Sequence, residues 1–163
     1  MATTATAKKK DACDLLDADH KAVKKMFMEY EELTQAGGNT KEKKRVLAEK
    51  ICNELTVHAQ IEEEIFYPAV RKAIKEELLM NEAQVEHTSA KELIAQIQSM
   101  NPGDAMYDAK VTVLGEYIDH HVKEERTEMF PKARASKVDL VKMRDVLQAR
   151  KEELMAELEG VLA

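Results

Sequence analysis

Inward-type residues recur along this chain in steps of three and four, and that rhythm limits its fold more than any other feature. Ile51, Leu55, His58, Glu62 and Ile65 keep it without a break, as do Val111, Leu114, Ile118, His121 and Glu125. Such spacing lines one face of a 3.6-residue helix, and no stretch of period-two alternation competes with it. Breakers are scarce, with five Gly and three Pro in 163 residues. The pattern predicts an all-α protein.

Turn signals divide the chain into five helical stretches. The first runs from about Asp11 to Gln35 and stops at Gly37-Gly38, where Asn39 or Thr40 supplies a new N-cap. The second runs from Lys41 into the mid-70s, with Pro68 inside it, where a lost hydrogen bond should bend the helix. The third covers Lys75 to Met100, although no strong breaker separates it from the second. "NPGD" marks a loop in which Asp104 is the candidate N-cap of a fourth helix, Ala105 to Ala135, with Pro131 near its end. Ser136 then opens the last helix, from Lys137 to about Gly160. Long rods on short connections predict an up-down-up-down four-helix bundle with an additional C-terminal helix. The expected organisation is a disordered tail over residues 1–10, the bundle over 11–135, and the C-terminal helix over 136–163 packed on it.

Composition removes several functional classes. A net charge of −6 gives no general attraction to nucleic acid or to anionic lipid. No apolar run reaches the ~18–20 residues of a membrane span or forms the core of a secretory signal. Cys13 and Cys52 are too few for a disulfide framework, so a cytoplasmic location is expected, with both thiols acting as small buried apolar groups. Chemistry therefore has to come from the helical faces.

Those faces carry histidines where a core would carry leucine. The first helix reads Leu16, His20, Val23, Phe27, Tyr30, and the third reads Met80, Ala83, His87, Ala90, Ile94, Ile97. Of five histidines, four therefore sit on inward seams, one per rod: His20, His58, His87 and His121. Two of these seams also carry a carboxylate one turn on, Glu62 and Glu125. A buried carboxylate without a partner costs several kcal/mol, so a cation in the middle of the bundle is the simplest way to satisfy all six groups. Imidazole with carboxylate suits iron, manganese or zinc. Six ligands exceed one tetrahedral zinc, and carboxylates can bridge a pair of ions. Neither the Glu-x-x-His of ferritin-like centres nor the His-Glu-x-x-His of zinc proteases is present.

The two paired sites also share a longer frame. "HAQIEEEIFYP" and "HVKEERTEMFP" each place Glu four residues and Pro ten residues after His. With His20 and His87, this set resembles the hemerythrin family in its bacterial HHE cation-binding branch, over about Asp14 to Ala135. The tail "LQARKEELMAEL" is similar to the final helix of single-domain members. The resemblance implies a non-haem centre of two iron ions. His20, His58, His87 and His121 would be terminal ligands, and Glu62 and Glu125 would bridge the ions together with an oxo or hydroxo oxygen. Oxygen carriers of the family hold five histidines, two of them four residues apart on the third helix, where this chain has Ala83 and Lys91 around His87. His120 lies about 100° round its helix from His121 and is read as a surface residue or a neighbour of the ligands.

The resemblance implies binding of dioxygen, peroxide or nitric oxide, in oxygen binding or sensing or in peroxide breakdown by a catalase-like or oxidase activity. Iron storage or delivery, or nitric oxide-related iron handling without turnover, is the alternative. The expected assembly is a monomer or homodimer, with no nucleic acid or membrane partner. Phe27, Phe66, Tyr30, Tyr67 and Tyr117 lie within a turn or two of the ligands, as lining of a dry pocket or as ordinary packing. Glu63 and Glu64 are read as turned toward solvent or a neighbouring helix, with a solvated face as the plainer reading.

Overall fold

The structure, a computed structural model, describes residues 9–160. The expected tail lies outside the described residues except for Lys9 and Lys10, which are exposed. Helix α1 spans Ala12–Ala36 and opens on a reciprocal cap. The Asp11 side chain accepts from the Asp14 N–H at 3.0 Å, and the Asp14 carboxylate accepts from the Asp11 N–H at 2.9 Å. The helix ends at Gly37 and Gly38, whose φ values of 70° and 78° are left-handed backbone that glycine adopts without strain.

The second rod is α2 (Lys41–Ile61), a π turn over Glu62–Phe66, and α3 (Tyr67–Ile74). It breaks at Lys75, whose left-handed φ of 53° gives a two-residue corner where the sequence has no glycine. The third rod is α4 (Glu77–Gln98). The fourth repeats the second, as α5 (Tyr107–Glu124), a π turn over Glu125–Met129, and α6 (Phe130–Ala135). Helix α7 (Leu140–Gly160) closes the chain.

Both π turns stand just ahead of a proline, and this differs from the simple bend expected at Pro68. Proline has no N–H, and its ring collides with the carbonyl four residues back. Widening the turn relieves that collision: the Tyr67 N–H donates to the Glu62 carbonyl, and the Phe130 N–H to the Glu125 carbonyl. Each widened turn begins on the carboxylate residue itself. Helix starts differ by a few residues elsewhere. Asp104 ties its loop by accepting from the Asn101 N–H at 2.9 Å, and α5 begins only at Tyr107. Asp139, not Ser136, caps α7 by accepting from the Lys142 N–H at 3.0 Å.

α1, α2, α4 and α5 pack in a closed ring, each on two neighbours, which is the four-helix bundle. Its apolar interior is split in two. One cluster joins Leu16, Ile61, Phe66, Val70, Met80 and Met129, and α7 adds Leu147 and Leu154 to it. The other joins Val23, Tyr30, Ile51, Leu55, Ile94 and Leu114 at the opposite end. Cys13 and Cys52 are free and buried, one in each cluster. Helix α7 packs on α1, α2 and the first π turn, so it covers only the proline end of the bundle. The polar layer between the clusters is where the seam histidines lie.

Candidate metal centre

All six side chains singled out from the sequence meet in that layer. His20, His58, His87 and His121 are each at most 7% exposed, and Glu62 and Glu125 are fully buried. They form two groups that share Glu62: His20, His58 and Glu62, and then Glu62, His87, His121 and Glu125. Within each group, one donor atom per residue lies within 4.8 Å of every other. Donors around one transition ion at bond lengths of ~2.0–2.2 Å span comparable distances.

The contacts are short and poorly matched as hydrogen bonds. His20 Nε2 and His58 Nε2 are 3.1 Å apart, and His87 Nε2 and His121 Nε2 are 3.2 Å apart. In each pair, the ring nitrogens that point at each other are both best used as acceptors toward a cation. His58 Nε2 lies 2.9 Å from Glu62 Oε1, His87 Nε2 lies 3.4 Å from the same atom, and His121 Nε2 contacts Glu125 Oε1. Even so, neither oxygen of Glu62, nor Oε2 of Glu125, accepts a directional hydrogen bond. Carboxylate oxygens are rarely buried and left without donors, and this donor set fits a bound cation.

Behind each imidazole, a carboxylate faces the other ring nitrogen, and behind each carboxylate stands a cationic or titratable group. Asp19 Oδ2 accepts from His58 Nδ1 at 3.0 Å, and Lys151 of α7 donates to Asp19 Oδ1 at 2.6 Å. Glu63 Oε2 accepts from His87 Nδ1 at 3.0 Å and is paired with Lys91. Asp17 stands 3.7 Å from His20 Nδ1 and is held by Arg126 at 2.8 Å. Glu86 stands 3.6 Å from His121 Nδ1 and 3.9 Å from His120 Nε2. Carboxylates in this position fix the orientation of a ligating imidazole and raise its basicity. His120, exposed and bonded to Glu124 at 3.1 Å, thus takes part through Glu86 and lies outside the six.

Electrostatics distinguish the four rings. Burial, then the neighbouring His58, pushes His20 down to about 3, so it is a neutral donor. Burial pulls His58 the same way, but the Glu62 and Asp19 carboxylates outweigh it and lift it to about 10. His87 and His121 are raised against burial too, by Glu62 and Glu63 for the first and by Glu125 and Glu86 for the second. Glu62 is held well below the carboxylate range, because His58 and His87 outweigh its burial. Burial, then the charge of Glu62, pushes Glu125 up. A cation would replace the protons that hold these groups together.

Sequence reading placed Tyr67 near the ligands and Glu63 and Glu64 at the surface without their polar contacts. The Tyr67 hydroxyl donates to Glu125 Oε1 at 2.8 Å and lies 2.9 Å from His87 Nε2 and 3.0 Å from His121 Nε2. Its position just before Pro68, on the π turn that re-aims it, was the available signal. Glu63 bonds His87, and Glu64 accepts from Arg150 at 2.8 Å, so neither is simply a solvated face. Tyr117 does line a cavity beside the donors, whereas Tyr30 lies in the far cluster with its hydroxyl on Asp108 at 2.7 Å.

Comparison with known proteins covers the same stretch of chain. The model of the hemerythrin HHE cation-binding domain matches residues 11–133, a span that contains all six. A DNA nickase of Nostoc sp. (strain PCC 7120) is 29% identical over 117 residues, covering 72% of this chain. The match covers 32% of the nickase, so this chain spans about a third of that relative's length. A solved structure of an HHE cation-binding domain-containing protein, an Rv2633c homolog from Mycobacterium kansasii, superposes with a TM-score of 0.76. The superposition covers 91% of this chain and 89% of that one at 20% identity, and it shows a shared fold. With a matching family model over three of the bundle's four rods and most of the fourth, and a buried histidine–carboxylate layer in place, the chain belongs to the hemerythrin family of HHE cation-binding proteins.

Proposed function

We propose that the chain is a non-haem di-iron protein that binds dioxygen or a related small oxidant, peroxide or nitric oxide among them. His20, His58 and Glu62 would hold one ion, and Glu62, His87, His121 and Glu125 the other, with Glu62 common to both groups and Glu125 Oε2 also facing the first, 3.6 Å from His20 Nε2. One observation carries this reading: two donor groups share a fully buried carboxylate whose oxygens accept no directional hydrogen bond. Iron held by these residues would supply electrons to a bound small oxidant.

The side chains set the conditions for that chemistry. Nitrogen and carboxylate donors suit iron in either common charge state. Asp19 and Glu63 hold the His58 and His87 rings by hydrogen bonds, and Asp17 and Glu86 stand behind the other two. The Tyr67 hydroxyl, its ionisation pushed well above the ordinary range by burial and by Glu125, keeps its proton and offers it within the second group. That makes Tyr67 a neutral proton donor in hydrogen-bond reach of His87, His121 and Glu125.

Metal content and an optical spectrum test the reading. Protein from iron-fed cells should hold about two irons per chain and absorb in the near-ultraviolet and visible. A colourless protein with less than one iron per chain would overturn it. Oxygen evolution on adding peroxide then separates peroxide breakdown from binding alone.

A further inference from the structure

A cavity of about 120 Å³ opens beside the donors, between α1, α2, α4 and α5. Its wall is carbon: Val23, Leu55, Ala90, Ile94, Ile118 and Val122. Its inner end meets the donor layer, where five of the six donors, all but Glu125, line it beside Asp19 and Glu86. The exposed residues Thr56, Lys91 and Tyr117 stand at its mouth. The space lies beside the donors and not between them, since each donor stands within 3.6 Å of a neighbouring one.

Size and polarity decide what can fill it. A water or a diatomic molecule needs only roughly 10–15 Å³ of such space, and a buried water wants two to four polar partners. Away from the donors the surface it presents is almost wholly carbon, and the Thr56 hydroxyl at its rim already donates to the Cys52 carbonyl at 2.7 Å. A dry cavity of about 150 Å³ lined by aliphatic side chains takes benzene or xenon. Interiors are close-packed, so a pocket of this size with an apolar wall is room for a guest larger than dioxygen.

We infer that this cavity seats the apolar part of an organic molecule, a cyclic or branched group of about six heavy atoms, with any polar end turned toward the donors. The inference stands on the shape and lining of the cavity, not on the identity of the metal.

Melting of the metal-loaded protein tests it, because a guest that binds only the folded state raises the melting temperature. Benzene should raise it and appear as density in the cavity of soaked crystals. Naphthalene, with ten carbons, and N-methylacetamide, which is polar, should do neither. Ala90→Leu and Val23→Phe each fill the space from a different side. Either folded variant should lose the benzene shift and keep the parent metal content. No shift and no density with benzene would overturn the inference. So would an equal shift with all three probes, or a full shift in the filled variants. Failure to find iron would sink the di-iron reading and leave this measurement as informative as before.

Discussion

His58, Glu62, Tyr67 and Pro68 on the second rod correspond, position for position, to His121, Glu125, Phe130 and Pro131 on the fourth. Both runs use the same backbone device, a π turn that starts on the carboxylate and ends against the proline. They part at the residue before the proline. The Tyr67 ring sits 5.0 Å from that of His87, and its hydroxyl reaches two imidazoles and Glu125. Phe130 stacks 6.1 Å from His20, nearly parallel at 6°, and offers it only carbon. The repeated backbone fixes where donors can stand, and one oxygen atom makes the two halves chemically unequal. On the third rod, Ala83 and Lys91 bring no imidazole to the layer, so the extra polar group comes from the second rod instead.

Glu62 reaches both halves closely, at 2.9 Å from His58 and 3.4 Å from His87, whereas Glu125 contacts His121 and reaches His20 only at 3.6 Å, so their removal should differ. Glu62→Ala should leave close to no metal on the chain, and Glu125→Ala should leave about half, as counted by elemental analysis. In the metal-free protein, Glu62→Ala should also lower stability to urea by about 3–5 kcal/mol, because buried imidazoles lose their shared counter-charge. Equal metal loss in the two variants would break the division into halves.

Acidity divides the first half against itself. His20 is lowered to about 3, so its contribution is lost as pH falls from about 6.5, where only the unfolded chain takes up a proton. His58 is raised to about 10, so its contribution is full below about 6.5 and is lost as pH rises through about 10. Metal-free stability from this pair should therefore peak near neutrality, with limbs of at most about 1.4 kcal/mol per pH unit. Urea midpoints across that range would show it. His20→Gln should flatten the acid limb and His58→Gln the alkaline one.

The six donors were legible in the sequence because helical spacing alone decides which residues share a seam. The family resemblance added the expectation of an iron pair. Tyr67 and Glu63 were harder to read because both lie on or beside a π turn. Five residues between bonded groups shift every later side chain off the 100° rhythm that seam counting assumes. The corner at Lys75 was faint for a similar reason, since a left-handed residue there is neither Gly nor Asn. Lys151 could not be placed at all, because the contact it makes is set by how α7 docks, not by any local pattern.

Making the halves alike tests the hydroxyl directly. Tyr67→Phe should weaken the ion held by His87, His121 and Glu125 by about tenfold or more, the scale of losing a hydrogen-bond partner at a metal site. The other ion should be unmoved, so chelator competition should show one of two release steps shifting. Phe130→Tyr is the reciprocal change and places a hydroxyl near His20. If both release steps moved together in Tyr67→Phe, the hydroxyl would belong to the whole layer.

The smallest effect expected comes from the cations one link further out. Lys151 and Lys91 play the same part behind Asp19 and Glu63, but their surroundings differ. The Lys151 and Asp19 side chains are 25% and 8% exposed, against 52% and 36% for Lys91 and Glu63. Water screens the second pair far more than the first. Lys151→Met should therefore loosen the His58 ion by a few-fold, less than about tenfold, and Lys91→Met should change the His87 ion hardly at all. Lys151→Arg should restore the parent behaviour, because the charge on Asp19 returns while the packing of α7 is still altered. Were Lys151→Met silent in chelator release, the last helix would serve only to cover the proline end of the bundle, and the two halves would be equally indifferent to it.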